Sequence, residues 1–254
     1  MTALVAGLAT FVGMNGVRTA RARARRQAAT ALSRDTIMVS HGLVQGSVRR
    51  ALVPAGSHQA MSPREMRRRV ASLAGGTYIG DVLAAQDSAL YRWPDHFGDP
   101  LRVYVEPSSI VAGFDPAYPQ VARDIFAEWV QAGFPLHFTF IFDSTSADLA
   151  IRWRERFGAE DGQRIGLTER VQTSDFQIAK ATVDIATHDS SGRVFSAVMV
   201  AGILRHEIGH ALGLNHAGDP SSVMYRESAT STIGASDRAT LRLLYLVPGG
   251  SLKD

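Results

Sequence analysis

The chain has 254 residues, a hydrophobic fraction of 45%, a formal charge of +3 and no cysteine. That is enough for one domain of ordinary size plus an extension, and it excludes disulfide stabilisation, so stability comes from packing and any bound metal. Arg18, Arg21, Arg23, Arg25 and Arg26 occur with no acid in the first 26 residues, leaving 22 basic against 24 acidic residues beyond them, a net of −2; the basicity belongs to the leader and no nucleic-acid partner is expected.

In residues 1–26 the apolar Leu4, Val5, Leu8, Phe11, Val12 and Met14 form a run too short to cross a bilayer as a helix. The arginines follow this run, whereas a secretory signal places its charge first. A misassigned start, an unusual export signal and a helix lying on a membrane surface all fit that order. Residues 27–97 read as a linker and candidate propeptide with one helix. Gly42, Gly46, Pro54 and Gly56 break up its first part. Ser62-Pro63-Arg64-Glu65 then supplies a capping serine, a proline at the first helical position and a glutamate three residues after the cap. This predicts a helix to about Leu73, stopped by Gly75-Gly76, with Arg67-Arg68-Arg69 on a solvated face.

Beyond residue 98 the pattern predicts a strand at 101–106, a helix at 116–132, and strands at 136–142 and 148–153. Val121, Ile125, Phe126, Trp129 and Val130 recur at helical spacing and form a buried face. His137 lies in an alternating strand as a surface residue. Residues 154–180 are polar and glycine-punctuated without a period, and Ala181 to Thr187 reads as a strand before a Ser190-Ser191-Gly192 turn. Asp184, His188 and Asp189 fit turn chemistry better than a second metal site. Ser196 caps a long helix carrying Val198, Val200, Ile203, Leu204, Ile208, Ala211 and Leu212.

That helix holds the chemistry. His206-Glu207-Ile208-Gly209-His210-Ala211-Leu212-Gly213-Leu214-Asn215-His216 spells H-E-x-x-H-x-x-G-x-x-H. Four residues apart, His206 and His210 lie one turn apart on one face and can reach one metal ion. Glu207 is placed to take a proton from a water that the metal activates. Gly213 can adopt the left-handed conformation that ends a helix and turns the chain so that His216 supplies a third nitrogen. Three protein ligands on tetrahedral zinc leave a position for water, the mark of a catalytic site.

The motif resembles that of the metzincin metallopeptidases, and His216-Ala217-Gly218-Asp219-Pro220-Ser221-Ser222-Val223-Met224-Tyr225 resembles their matrixin branch, of the bacterial type. The resemblance implies that Met224 floors the metal site without ligating it, and that Asp237, eight residues before Tyr245, braces the methionine turn. Residues 101–106 and 147–153 are similar to the family's first and third strands. Arg226 departs from the proline usual after Met-Tyr in animal members, and the missing cysteine removes the thiol that silences many of them. Asp81 and Asp87 are then the candidate carboxylates for covering the metal in a latent form. Calcium is a further candidate cation, with no motif for it.

An α+β zincin-like fold is implied: a twisted mixed sheet, an active-site helix and a C-terminal helix over residues 98–254. The strand at 181–187 would be antiparallel to its neighbours and rim the cleft. The expected activity is zinc-dependent hydrolysis of protein or peptide substrates bound in extended form, outside the cytoplasm or at a membrane through the N-terminus. The rivals are a zinc-containing module that binds peptides without cleaving them, and a membrane-surface protein whose zinc domain acts on a nearby partner.

Overall fold

The computed structural model describes residues 61–95, 99–158, 164–227 and 232–254, and the backbone of 48–53. The leader of residues 1–26 and the linker before residue 48 lie outside the described residues. Among the described residues no helix is long and apolar enough to cross a membrane.

Six strands form a mixed sheet: β1 (Val48–Val53), β3 (Leu101–Val105), β4 (Phe138–Ile141), β5 (Leu149–Arg154), β6 (Gly166–Thr173) and β7 (Ile178–Ala186), in the order β1-β6-β7-β5-β3-β4. β4, β3, β5 and β7 run parallel, and β6 alone runs antiparallel to β7. Leu101, Val103 and Val105 of β3 are buried in alternation, as a pleated strand with one covered face requires. Helix α3 (Tyr118–Ala132) joins β3 to β4, burying Ile125, Phe126 and Trp129, and ends at Gly133 with φ 115°. Helix α4 (Ala197–Ala211) packs on β6, β7 and α3, where the Trp129 indole donates to Arg205 O at 3.2 Å and Arg205 grips Glu128 through two bonds. Val198 lies at the exposed start of α4, outside the apolar wall expected of it.

Several expectations are corrected. The strand at 181–187 is internal, parallel to β5 and antiparallel only to β6, and it is β6, between β7 and β1, whose side chains reach Glu207. β6 escaped sequence reading because its inward positions carry Thr168, Arg170 and Gln172, all buried, which inverts the usual polar-out alternation. On its far side β6 pairs in parallel with β1, from Val48↔Thr168 to Val53↔Thr173.

The segment before the catalytic region holds two helices rather than one: α1 (Pro63–Leu73), capped by Ser62 Oγ accepting from Glu65 N at 3.3 Å, and α2 (Ile79–Ala85). β2 (Ala89–Leu90) pairs with β8 (Gly250–Ser251), beyond the C-terminal helix α5 (Ala235–Leu246). Met66, Val70, Tyr78, Ile79, Val82, Leu90 and Trp93 share one core with Met224, Leu241 and Leu244, so the core runs across the boundary expected near residue 97. The triple-arginine face is not wholly solvated either, since Arg67 donates to Leu252 O and Asp254, and Arg69 to Leu246 O.

Candidate active site

Ser196 Oγ accepts from Met199 N at 3.2 Å and starts α4, which carries His206 and His210 one turn apart. The helix ends at Gly213, whose φ is +107°; a Cβ there would lie 2.8 Å from Tyr91 O, so both backbone and space demand glycine. The redirected chain brings His216 to the other two, and the candidate ligand nitrogens all lie within 4.8 Å of one another.

The imidazoles are oriented before any metal arrives. His206 Nδ1 lies 2.7 Å from Val223 O and His210 Nδ1 3.0 Å from Leu214 O, so each donates its proton to a carbonyl and presents Nε2 to the shared centre. The two Nε2 atoms are 3.1 Å apart. Two nitrogens at ~2.0–2.1 Å from a tetrahedral zinc would be about 3.3 Å apart, so this pair is spaced as that ion requires. Burial pulls the His206 imidazole down to about 4, and holds that of His210 well below its ordinary range, so both stay neutral and competent to ligate.

Beneath the histidines, Met224 is fully buried and its Sδ would lie 2.4 Å from a Cβ at Gly209, so the glycine inside the motif is what admits the methionine. Asp237, also fully buried, accepts from Ser222 Oγ, from Val223 N at 3.1 Å and from Gly234 N at 2.7 Å. Two of these three donors tie it to the segment that carries Met224, and one of them is on Val223, whose carbonyl lies against His206 Nδ1.

Glu207 sits under the end of β6. Its Oε2 accepts from the Thr168 hydroxyl at 2.6 Å, and a Cβ at Gly166 would lie 2.4 Å from its Oε1. The last carbonyls of α4 are met by side chains from elsewhere: Arg170 Nη1 donates to His210 O at 3.0 Å, the Trp93 indole to Ala211 O at 2.9 Å and the Tyr245 hydroxyl to Leu212 O at 2.9 Å. Gly166, Thr168, Arg170 and Trp93 were not legible as site residues, because they lie outside the motif and only tertiary packing brings them to it.

Asp81 and Asp87 stand outside the histidine cluster. Asp81 Oδ2 accepts from Gly218 N at 2.8 Å, which ties α2 to the loop after His216, while Asp87 pairs with Lys253. Asp184, His188 and Asp189 do not converge: Asp184 pairs with Arg154 at 2.8 Å, His188 Nδ1 lies 2.9 Å from Thr187 Oγ1, and Asp189 organises its own turn through Ser191 and Arg193.

The buried groups set a pH dependence for the metal-free protein. Burial pushes the Glu207 carboxyl up from 4.5 to about 8, so the folded chain keeps a proton that the unfolded chain releases, and stability falls as pH rises across that window. His206 and His210 act oppositely, since the unfolded chain protonates first below 6.5 and stability falls with falling pH. Two histidines outweigh one glutamate on the acid side, placing maximum stability at about pH 6.5. Urea denaturation of zinc-stripped protein at several pH values checks this, and Glu207→Gln should flatten the alkaline limb and steepen the acid one below about pH 6.5.

Comparison with known proteins agrees with this geometry. The matrixin family profile, of the M10 peptidases, matches residues 115–246, from the approach to α3 to the end of α5. A candidate matrix metalloproteinase of Heliothis virescens ascovirus 3e is 27% identical over 113 residues, covering 39% of this chain and 23% of that protein. The chain thus spans under a quarter of that relative's length.

Proposed function

Because the chain belongs to the matrixin family of peptidases, we propose that it is a zinc-dependent endopeptidase that hydrolyses extended protein or peptide substrates, with His206, His210 and His216 holding the metal and Glu207 as general base. The observation that carries this is the convergence of three imidazoles, those of His206 and His210 held neutral by burial, beside a buried carboxyl group. Zinc held there supplies a Lewis acid for the scissile carbonyl and an acidified water. Glu207 takes the water's proton on its carboxylate and returns it to the leaving amine. Burial raises this carboxyl in the metal-free fold, and a cation held by the neighbouring histidines would draw it back toward the charged form that accepts a proton. No covalent intermediate on the protein is required.

The side of β6 away from β7 is the natural place for substrate once β1 leaves it, since backbone pairing along a sheet edge gives affinity without strong sequence demand. In the full chain β1 pairs with that edge, starting opposite Thr168 beside Glu207. A substrate strand and β1 exclude one another, which supports a latent form in which the leader covers the cleft by backbone pairing rather than by a thiol. The apolar, then arginine-rich leader supports a secreted or membrane-surface setting.

The test compares wild type with Glu207→Ala for zinc content and for cleavage of an unfolded protein. Both should bind one zinc, and the variant should cleave about 10²–10⁴-fold more slowly. Equal cleavage would remove Glu207 from its role. No cleavage by wild type, even after deletion of residues 1–60, would remove the peptidase reading.

A further inference from the structure

The inward face of β6 presents Gly166, Thr168 and Arg170 at alternate positions toward α4, and none of them belongs to the metal-binding pattern. Thr168 is fully buried, and its hydroxyl lies 2.6 Å from Glu207 Oε2 and 3.0 Å from Glu207 O. One hydroxyl thus bridges the carboxylate and the main-chain carbonyl of the same residue, tying the side chain to its own helix. The donor is itself rigid: a β-branched side chain has few χ1 choices, and its backbone is paired with Val183 in the sheet. Gly166 completes the seat, because a Cβ there would lie 2.4 Å from Oε1, 2.7 Å from Cγ and 2.8 Å from Cδ of Glu207.

We infer that Thr168 is a positioning residue that fixes the Glu207 carboxylate through Oε2 and leaves Oε1 to exchange the proton, with Gly166 clearing the space in which it sits. This rests on the assignment of Glu207 as general base. A glutamate has three torsions, and a base displaced by about 1 Å can cost on the order of 10²-fold in rate. The Thr168 hydroxyl is the side-chain donor that holds Oε2, so its removal releases the side chain rather than merely weakening a contact.

A positioning role and a packing role rank the conservative variants oppositely. If the hydroxyl matters, Thr168→Ser retains function and the isosteric Thr168→Val does not; if only volume matters, valine is neutral and serine leaves a cavity. In the full chain, Thr168→Val should keep one zinc and a KM within about twofold while kcat falls about 10–100-fold, and Thr168→Ser should stay within about threefold of wild type. Gly166→Ala should lose kcat as well, at unchanged zinc content.

Melting of the zinc-free proteins gives a readout independent of turnover. Thr168→Val should lower Tm by about 2–6 °C, and this loss should shrink in a Glu207→Ala background, where only the main-chain carbonyl of residue 207 is left as acceptor. The inference is overturned if valine preserves kcat, if serine is as damaging as valine, or if the Tm losses of the two substitutions simply add. Full activity of Glu207→Ala would overturn the general-base reading and this inference with it, whereas an inactive Glu207→Ala beside an unimpaired Thr168→Val sinks only the role given to Thr168.

Discussion

Deleting residues 1–60 leaves a folded protein that cleaves faster than the full chain, whereas deleting residues 1–95 leaves no folded protein. The first part follows from β1, which is lost in the shorter deletion and whose pairing covers the edge of β6. A tethered strand competes at an effective concentration in the millimolar range, comparable to or above ordinary KM values, so its removal should raise kcat/KM on the order of tenfold. The second part follows from the core. Met66, Val82 and Leu90 are wholly buried and Trp93 nearly so, all in one cluster with the methionine turn and α5. At roughly 1.5–3 kcal/mol per large apolar side chain, losing them together removes as much as the ~5–15 kcal/mol by which a domain is stable. The longer deletion also removes the Trp93 indole from the end of α4 and the Asp81 carboxylate from Gly218 N. Circular dichroism, zinc content and kcat/KM of the two truncations settle both parts: a folded, zinc-binding product of the longer deletion would show that residues 61–95 are a removable propeptide. An unchanged rate in the shorter one would show that β1 is no cover.

The histidine cluster was legible because two side chains that are to meet on a helix must obey its geometry, and the glycine that ends the helix has few substitutes. Asp237 was legible only through family resemblance; nothing in its local sequence says that Ser222 and Val223 will lie against it. β6 was illegible for a physical reason. Its buried face is polar because it serves Glu207 and the carbonyl of His210 rather than an apolar neighbour, so periodicity reports the wrong polarity where function is concentrated. The second leader helix, α2, was hidden by its shortness and its lack of a side-chain cap. Its hydrophobic residues, Ile79 and Val82, show their purpose only once the core beneath the metal loop is assembled.

Asp237→Ala should lower both stability and zinc affinity, through a path that can be traced bond by bond. The carboxylate accepts from Ser222 Oγ, Val223 N and Gly234 N, and Val223 in turn offers its carbonyl to His206 Nδ1 at 2.7 Å. Alanine leaves three donors without their acceptor in a fully buried place, at about 1–3 kcal/mol each. For a domain of this size that corresponds to a Tm lower by about 10 °C or more. Because the segment that orients His206 is then free to shift, zinc affinity should fall about 10–100-fold as well. Asp237→Asn keeps the shape but turns one acceptor oxygen into a donor facing a donor, so it should recover only part of the loss. Asp219→Ala is the control: this exposed carboxylate lies in the same loop but bonds only Ser221, so it should leave zinc binding unchanged. Competition with a chelator of known strength measures the affinities. If Asp237→Ala holds zinc as tightly as wild type despite a lowered Tm, then the aspartate stabilises the turn without positioning the ligand, and His206 is held in place by the helix alone.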